Sequence, residues 1–92
     1  MGEHTLRTWP EFWDAIHDGR KTFEMRRADR DYKVGDTLCL RRWDQVLRHF
    51  THPTETIRCE VTYVMTGGQF GLRHGFVCMG IRVIEKPEVS GG

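Results

Sequence analysis

The chain of 92 residues has no long hydrophobic run, no closely spaced cysteines and little net charge. Without an apolar stretch of about 20 residues it offers no candidate transmembrane helix. Residues 1–4 also lack the basic-then-apolar layout of a signal peptide, so we expect a cytoplasmic protein with no membrane partner. A formal net charge of +1 argues against a general polyanion binder. We expect a single domain over residues 3–85, followed by a flexible tail over residues 86–92.

Cys39, Cys59 and Cys78 are spread through the chain, which is neither a zinc-binding pattern nor a disulfide framework. Each lies in a predicted strand, so buried, reduced side chains are favoured over a catalytic thiol. His49 and His52 have a spacing that can ligate a metal from a helix, but they lie in a predicted loop without a nearby third ligand. We therefore expect no metal and no cofactor.

Arginine supplies most of the basic charge, and the basic residues are concentrated between Arg20 and Arg48. Its guanidinium group matches phosphates and base edges with two parallel hydrogen bonds and stacks on rings. This clustering of basic residues has two interpretations, a local basic binding surface or a solvated face crossed by salt bridges. Charge counts alone leave both open.

A helix is predicted after Thr8, a candidate N-cap that precedes Pro10, and Gly19 is expected to end it. Its apolar residues recur at positions i, i+3, i+4 and i+7, which is the spacing of one helix face. This face is expected to pack on a sheet, and a ring-stacking platform is the less favoured interpretation. The residues of the face are Trp9, Phe12, Trp13 and Ile16.

Alternating apolar residues and turn-forming residues predict a mostly β chain with one main helix, an α+β protein built as a small antiparallel β-barrel. Strand 56–65 should bury every second residue from Ile57 to Met65, and strand 76–85, apolar on both faces, should be central. A helical turn is expected within 28–33, a tight turn at 34–36, and loops at 45–54 and 66–75. The predicted strands are 4–7, 21–27, 37–44, 56–65 and 76–85.

The strand at residues 21–27 carries the candidate site. Successive strand residues point to opposite faces, so Phe23 and Met25 are expected in the core while Glu24 and Arg26 share the other face. Lys21 lies where the preceding turn leads into this strand, and its side chain can reach that same face. A lysine, a carboxylate and an arginine would then form one patch, either a ligand site or an ion-paired rim.

The order of motifs over residues 3–85 resembles the ASCH superfamily, named after the activating signal cointegrator homology region, and in particular its small bacterial and phage members. The resemblance implies a PUA-like β-barrel, an RNA-related role, and a cleft beside the helix that is lined by Lys21, Glu24 and Arg26 and bordered by the 67–75 loop. One branch of the superfamily hydrolyses an acyl amide on a modified cytidine, and a nuclease activity is known in another. This chain has Glu24 where the amidohydrolase branch has a catalytic threonine. The motifs that carry the resemblance are Gly19-Arg20-Lys21-Thr22-Phe23-Glu24-Met25-Arg26, Asp29-Arg30-Asp31-Tyr32, Val34-Gly35-Asp36 and Gly67-Gly68-Gln69-Phe70-Gly71-Leu72.

Three functional hypotheses follow, the first being a binding module for RNA or a modified nucleotide. Its ligand would stack on a ring from Trp43, Tyr32 or Phe70. The alternatives are a small hydrolase acting on a nucleoside amide or on RNA, with Lys21 and Glu24 as candidate catalytic residues, and a module that binds a protein partner. The candidate ligand-binding residues are Lys21, Thr22, Glu24, Arg26, Gly68, Gln69 and Phe70.

Overall fold

The computed structural model describes residues 2–51 and 55–88, which form a mostly β structure with one short helix. The strand order is β1-β3-β5-β6-β2, and β4 pairs with the end of β3. β1 runs parallel to β3 and the other pairs are antiparallel, so the sheet is mixed rather than purely antiparallel. β6 lies between β5 and β2, which confirms that it is an inner strand. The elements are β1 (Glu3–Thr8), α1 (Pro10–His17), β2 (Phe23–Arg27), β3 (Thr37–Asp44), β4 (His49–Phe50), β5 (Thr56–Thr66) and β6 (Phe76–Glu85).

The helix α1 begins one residue later than predicted. Trp9 occupies the N-cap position in an extended conformation, and Thr8 is instead the last residue of β1. Pro10 sits at the first helical position, where its missing N–H costs nothing and its fixed φ suits a helix. The prediction that Gly19 ends the helix is confirmed, since its φ is 84° and its N–H donates to the Ile16 carbonyl at 3.1 Å.

The apolar face of α1 divides into a buried half and a half that stays accessible. Trp13 and Ile16 are fully buried, and the Trp13 Nε1 donates to the Leu40 carbonyl of β3 at 3.0 Å. Trp9 and Phe12, on the same face, remain substantially exposed. The predicted packing of the helix on the sheet is therefore confirmed for the buried half alone.

The core lies between α1 and the covered face of the sheet. Burial raises the pKa of the Cys59 thiol to about 12, and burial also raises the pKa of Cys39. Both thiols are thus poor nucleophiles at neutral pH, as expected for structural cysteines. The clustered core residues are Leu6, Trp13, Ile16, Tyr32, Leu38, Leu40, Ile57, Cys59, Val61, Val77, Met79 and Ile81.

The alternation predicted for β5 is wrong beyond Val61. Tyr63 is 67% exposed and Met65 only partly buried, while Val64 packs against the core. The cause is a register shift, because Val61 pairs with Ile81 but Tyr63 already pairs with Gly80. A residue inserted in one strand reverses the faces of the side chains that follow it.

Two predicted irregular segments also differ from the structure. The loop predicted at 45–54 contains β4, which pairs with Trp43 and Asp44 and forms a short hairpin with β3. The segment 28–33 forms bends rather than a helical turn. The tight turn at 34–36 is confirmed, since Gly35 has a φ of 94° and the Asp36 N–H donates to the Lys33 carbonyl at 3.0 Å.

The start of the predicted tail contacts the helix. The Lys86 ammonium donates to the His17 carbonyl at 2.8 Å, and the His17 ring lies 2.6 Å from the Pro87 carbonyl oxygen. Residues 89–92 of that tail lie outside the described residues, as does His52 of the histidine pair. Within residues 2–51 and 55–88, no helix is long and apolar enough to cross a membrane.

Candidate functional site

Glu24 and Arg26 share one face of β2, as predicted, but it is the opposite face to the one expected. Glu24 is only 3% exposed, whereas Phe23 and Met25 are 43% and 54% exposed. The prediction that these two apolar residues enter the core is wrong. The alternation of side chains shows which residues share a face of a strand, but it does not show which face is covered. Here the Glu24 carboxylate lies in the interior because the cations of Lys21 and Arg26 accompany it.

Glu24 is held between Lys21 and Arg26. The Lys21 Nζ lies 2.7 Å from one carboxylate oxygen, and the Arg26 Nε donates to the other at 2.8 Å. Both cationic side chains remain more accessible than the carboxylate. A buried charge is tolerated when it is paired and hydrogen-bonded, so the network explains the inward orientation of Glu24.

Arg26 also joins the two strands at the outer edges of the sheet. Its Nη2 donates to the Arg7 carbonyl at 2.8 Å and to the Thr8 hydroxyl at 3.1 Å. These acceptors belong to β1, whereas Arg26 belongs to β2, and the two strands lie at opposite ends of the strand order. Within the described residues, β1 and β2 form no backbone pairs with each other. The Arg26 side chain therefore bridges the gap between these two edge strands.

Lys21 is positioned by the end of the helix. Its backbone N–H donates to the Ala15 carbonyl at 3.0 Å, in the turn that Gly19 permits. Its ammonium group also donates to the Phe23 carbonyl at 2.8 Å and lies 4.7 Å from the Phe23 ring centroid and 5.4 Å from that of Phe12. The ammonium is thus fixed between a carboxylate and two aromatic faces, at distances that allow cation–π attraction.

A cleft of about 730 Å³ opens above this network, and we call it the ring cleft. Trp9 and Phe12 line it as a stacked pair, with ring centroids 5.8 Å apart and planes inclined by 16°. Phe23 and Phe76 contribute further rings, so aromatic surface surrounds the charged network. The residues lining the ring cleft are Arg7, Thr8, Trp9, Phe12, Lys21, Phe23, Glu24, Met25, Arg26, Arg27 and Phe76.

The lining of the ring cleft carries an excess of positive charge. Within the described part of the chain, its cationic residues are Arg7, Lys21, Arg26 and Arg27, against the carboxylate of Glu24. Concave surfaces with one sign of charge concentrate ions of the opposite sign. Both interpretations of the basic residues between Arg20 and Arg48 find support, because Lys21, Arg26 and Arg27 line this cleft while most basic residues of that range form ion pairs.

The predicted site residues are only partly brought together. Lys21, Glu24 and Arg26 line the ring cleft, but Thr22 is exposed outside it and its carbonyl accepts from the Ile81 N–H at 3.1 Å. Gly68, Gln69 and Phe70 are not among the lining residues either. The Gln69 side chain donates to the Thr66 carbonyl at 2.8 Å, and Phe70 is 93% exposed.

The rings predicted to stack on a ligand also lie outside the ring cleft. Trp43 packs edge-on against Phe50 at 4.8 Å, and Tyr32 packs against His4 at the same centroid distance. The residue patterns favoured packing of Trp9 and Phe12 on the sheet over a ring-stacking platform and placed Phe23 in the core, yet all three rings line the ring cleft. The wide apolar face of α1 could have indicated that some of its rings stay accessible. A helix of eight residues that packs on one sheet seldom buries four large side chains.

The chemistry available in the ring cleft is recognition by stacking, charge and hydrogen bonds. Among its lining residues, which are all described, Thr8 alone carries a hydroxyl group, and that group accepts a hydrogen bond from Arg26. No group of three or more His, Cys, Asp or Glu side chains able to hold a metal occurs in the described ranges. The lining therefore offers aromatic rings, cations and one carboxylate to a ligand.

Comparison with known proteins places the sequence of this chain in a family. The model of the family described as "Domain of unknown function (DUF3850)" matches residues 3–81. A protein of Escherichia phage P2, described as "Uncharacterized 12.9 kDa protein in GpA 3'region", is 38% identical over 42 residues. That similarity covers 46% of this chain and 38% of the phage protein, so the alignment spans well under half of that relative.

Proposed function

Because the chain belongs to the DUF3850 family, whose description assigns no function, we propose from the geometry that the ring cleft binds a nucleobase. The base would belong to single-stranded RNA or to a modified nucleotide. The observation that carries this proposal is the accessible aromatic lining around the Lys21–Glu24–Arg26 network. Accessible rings beside cations are the combination by which proteins hold unstacked bases.

Stacking would supply most of the affinity. Trp9 and Phe12 already lie nearly parallel, and Phe23 lies across from them beside the Lys21 ammonium. A planar base held against these faces gains about 1–3 kcal/mol for each ring it stacks on. Every base has such a face, so stacking alone gives little selectivity.

The charged network would supply the selectivity. Arg26 donates its hydrogen bonds through Nε and Nη2, which leaves Nη1 without a hydrogen bond to the described residues. This N–H group can donate a hydrogen bond to an acceptor atom of a base, and the Glu24 carboxylate can accept a hydrogen bond from an exocyclic amine. Glu24 also disfavours a bare phosphate close to it, so we place the base rather than the backbone in the ring cleft.

We also propose that the fold is a PUA-like barrel of the ASCH type, interrupted between β1 and β2. Support comes from the motif order and from the Arg26 side chain, which spans the two edge strands. A hydrolase acting on the same ligand is a second candidate, supported by the 2.7 Å contact between Lys21 and Glu24 at the base of the cleft. It predicts product formation that is lost in Lys21→Ala.

The binding proposal is tested by calorimetric titration of short single-stranded RNA and of mononucleotides into matched variants. Phe12→Ala removes a ring from the cleft, and we expect it to weaken binding about tenfold, equivalent to about 1.4 kcal/mol. Phe70→Ala removes a more exposed ring outside the cleft and should leave binding unchanged. Loss of binding in Phe70→Ala alone would move the site to the 67–75 loop, and no binding by the wild type would favour a protein partner.

A further inference from the structure

A second cleft, of about 460 Å³, adjoins the ring cleft along β1. The two share Arg7, Arg26 and Arg27, so one ligand can contact both clefts. The ring cleft lies at the end of β1 that leads into α1, and the second lies beside the middle of β1. We call it the arginine cleft, and its lining residues are Thr5, Leu6, Arg7, Arg26, Arg27, Asp29, Arg30 and Tyr32.

The two clefts differ in chemistry. The ring cleft has four aromatic residues in its lining, whereas Tyr32 is the single aromatic residue lining the arginine cleft and four of the eight lining residues there are arginines. Among the described residues that line it, Asp29 is the only carboxylate, and it lies 3.7 Å from the Arg30 Nε. Positive charge is therefore in excess here without the buried carboxylate that occupies the base of the ring cleft.

Several of these guanidinium groups have no anionic partner. Arg7 and Arg27 form no hydrogen bond or ion pair through their side chains with any residue that the structure describes. They lie instead over the rings of Trp43 and Phe76, at 4.2 and 5.7 Å from the ring centroids. Stacking orients a guanidinium group and leaves its N–H donors available.

Arg26, which the two clefts share, is engaged with Glu24 and with the Arg7 carbonyl, whereas Arg30 makes only weaker contacts. The Arg30 Nη1 donates to the Thr5 carbonyl at 3.4 Å, near the limit of a hydrogen bond. Tyr32 is largely buried and lines this cleft together with the arginines. Donors without good acceptors around a concave basic surface fit an oxyanion that accepts from several of them.

We propose that the arginine cleft binds a phosphate group, so that the ligand is a phosphorylated nucleotide or an RNA rather than a nucleoside. This inference rests on the proposed function, because it places the base of the same ligand in the ring cleft. Arg27 and Arg30 hold the phosphate, and Arg26 separates it from the buried carboxylate of Glu24. Because the phosphate and the base occupy different clefts, the ligand can carry a negative charge although the ring cleft contains the Glu24 carboxylate.

The test is to compare ribonucleosides with their 5′- and 3′-monophosphates, using wild-type protein and Arg27→Gln/Arg30→Gln in calorimetric titrations at two salt concentrations. We expect a monophosphate to bind wild-type protein about tenfold more tightly than its nucleoside. That advantage, and its salt dependence, should largely disappear in the double variant. Arg82→Gln is the matched control, because Arg82 is an exposed arginine paired with Glu60 and lines neither cleft.

The results of these titrations distinguish failure of the phosphate site from failure of the proposed base-binding function. Equal binding of nucleoside and monophosphate by the wild type overturns the phosphate site and leaves the base site standing. A phosphate advantage that survives in the double variant also overturns it, since the phosphate would then bind elsewhere. If neither compound class binds, and RNA does not bind either, both the phosphate site and the proposed function are overturned.

Discussion

At the scale of single residues, Glu24 is the centre of the account. Its spacing from Lys21 and Arg26 was enough to predict that the three side chains meet, and they do. The sequence could not show that they meet on the buried face, because a period of two fits either orientation of a strand. The orientation depends on cations that accompany the carboxylate into the interior, which is a tertiary property.

We predict that Glu24→Gln destabilises the protein, because it leaves two cations around a neutral side chain in a buried position. Removing one partner of a buried pair typically costs about 3 kcal/mol or more. Urea denaturation measures the change in the free energy of unfolding. Glu60→Gln is the control, since its ion pair with Arg82 is exposed and should contribute less than about 1 kcal/mol. Equal losses in the two variants would contradict the buried network.

Asp36 provides a prediction about pH. Hydrogen bonds from the His4 ring and from backbone N–H groups lower the pKa of its buried carboxyl from 3.8 to about 2. The unfolded chain then binds more protons in this range, so this contribution is present above pH 3.8 and is lost as pH falls toward 2. We expect the stability gap between wild type and Asp36→Asn, measured with urea, to narrow over that interval. A gap that is constant with pH would argue against the assignment.

At the scale of elements, α1 and β5 show where pattern reasoning succeeds and where it stops. Apolar periodicity located the helix, and Gly19 located its end. Periodicity could not show that β5 contains a register shift after Val61, because the extra residue alters the pairing and not the composition. It also could not separate the core half of α1 from the half that borders the ring cleft, since both are aromatic and apolar.

The two halves of α1 should respond differently to truncation. We expect Trp13→Ala to lower the free energy of unfolding by about 3–5 kcal/mol, because it empties a fully buried site and removes the hydrogen bond to Leu40. Phe12→Ala should cost about 1 kcal/mol, because Phe12 remains partly exposed, and should act mainly on ligand binding. Thermal or urea unfolding of both variants checks this. A larger loss in Phe12→Ala would place Phe12 in the core.

The loop between β5 and β6 contains a close approach of two backbone segments at Gly67. A Cβ at Gly67 would overlap the Arg73 carbonyl oxygen, so Gly67→Ala requires the backbone to move. Gly71 has a φ of 82° but open space around it, so Gly71→Ala should cost only the about 1–2 kcal/mol of a left-handed conformation. We expect Gly67→Ala to be clearly the more destabilising in urea denaturation. The reverse order would mean that conformation, rather than space, limits this loop.

At the scale of the whole molecule, the site lies where the sheet remains open. β1 and β2 are the edge strands, and both clefts occupy the gap between them on either side of the Arg26 side chain. The residue patterns predicted the mostly β class, and the resemblance to the ASCH superfamily implied a cleft beside the helix. It did not predict the parallel pairing of β1 with β3, because pairing between distant segments leaves little trace in local patterns.

The most direct test of the account is an amide-shift NMR titration with a nucleoside 5′-monophosphate and a short single-stranded RNA. We predict shifts that gather on Phe12, Lys21, Glu24 and Arg27, with little change at Phe70. Shifts confined to the 67–75 loop, or no shifts with either compound, would contradict the claim that the gap between the edge strands is a nucleotide site.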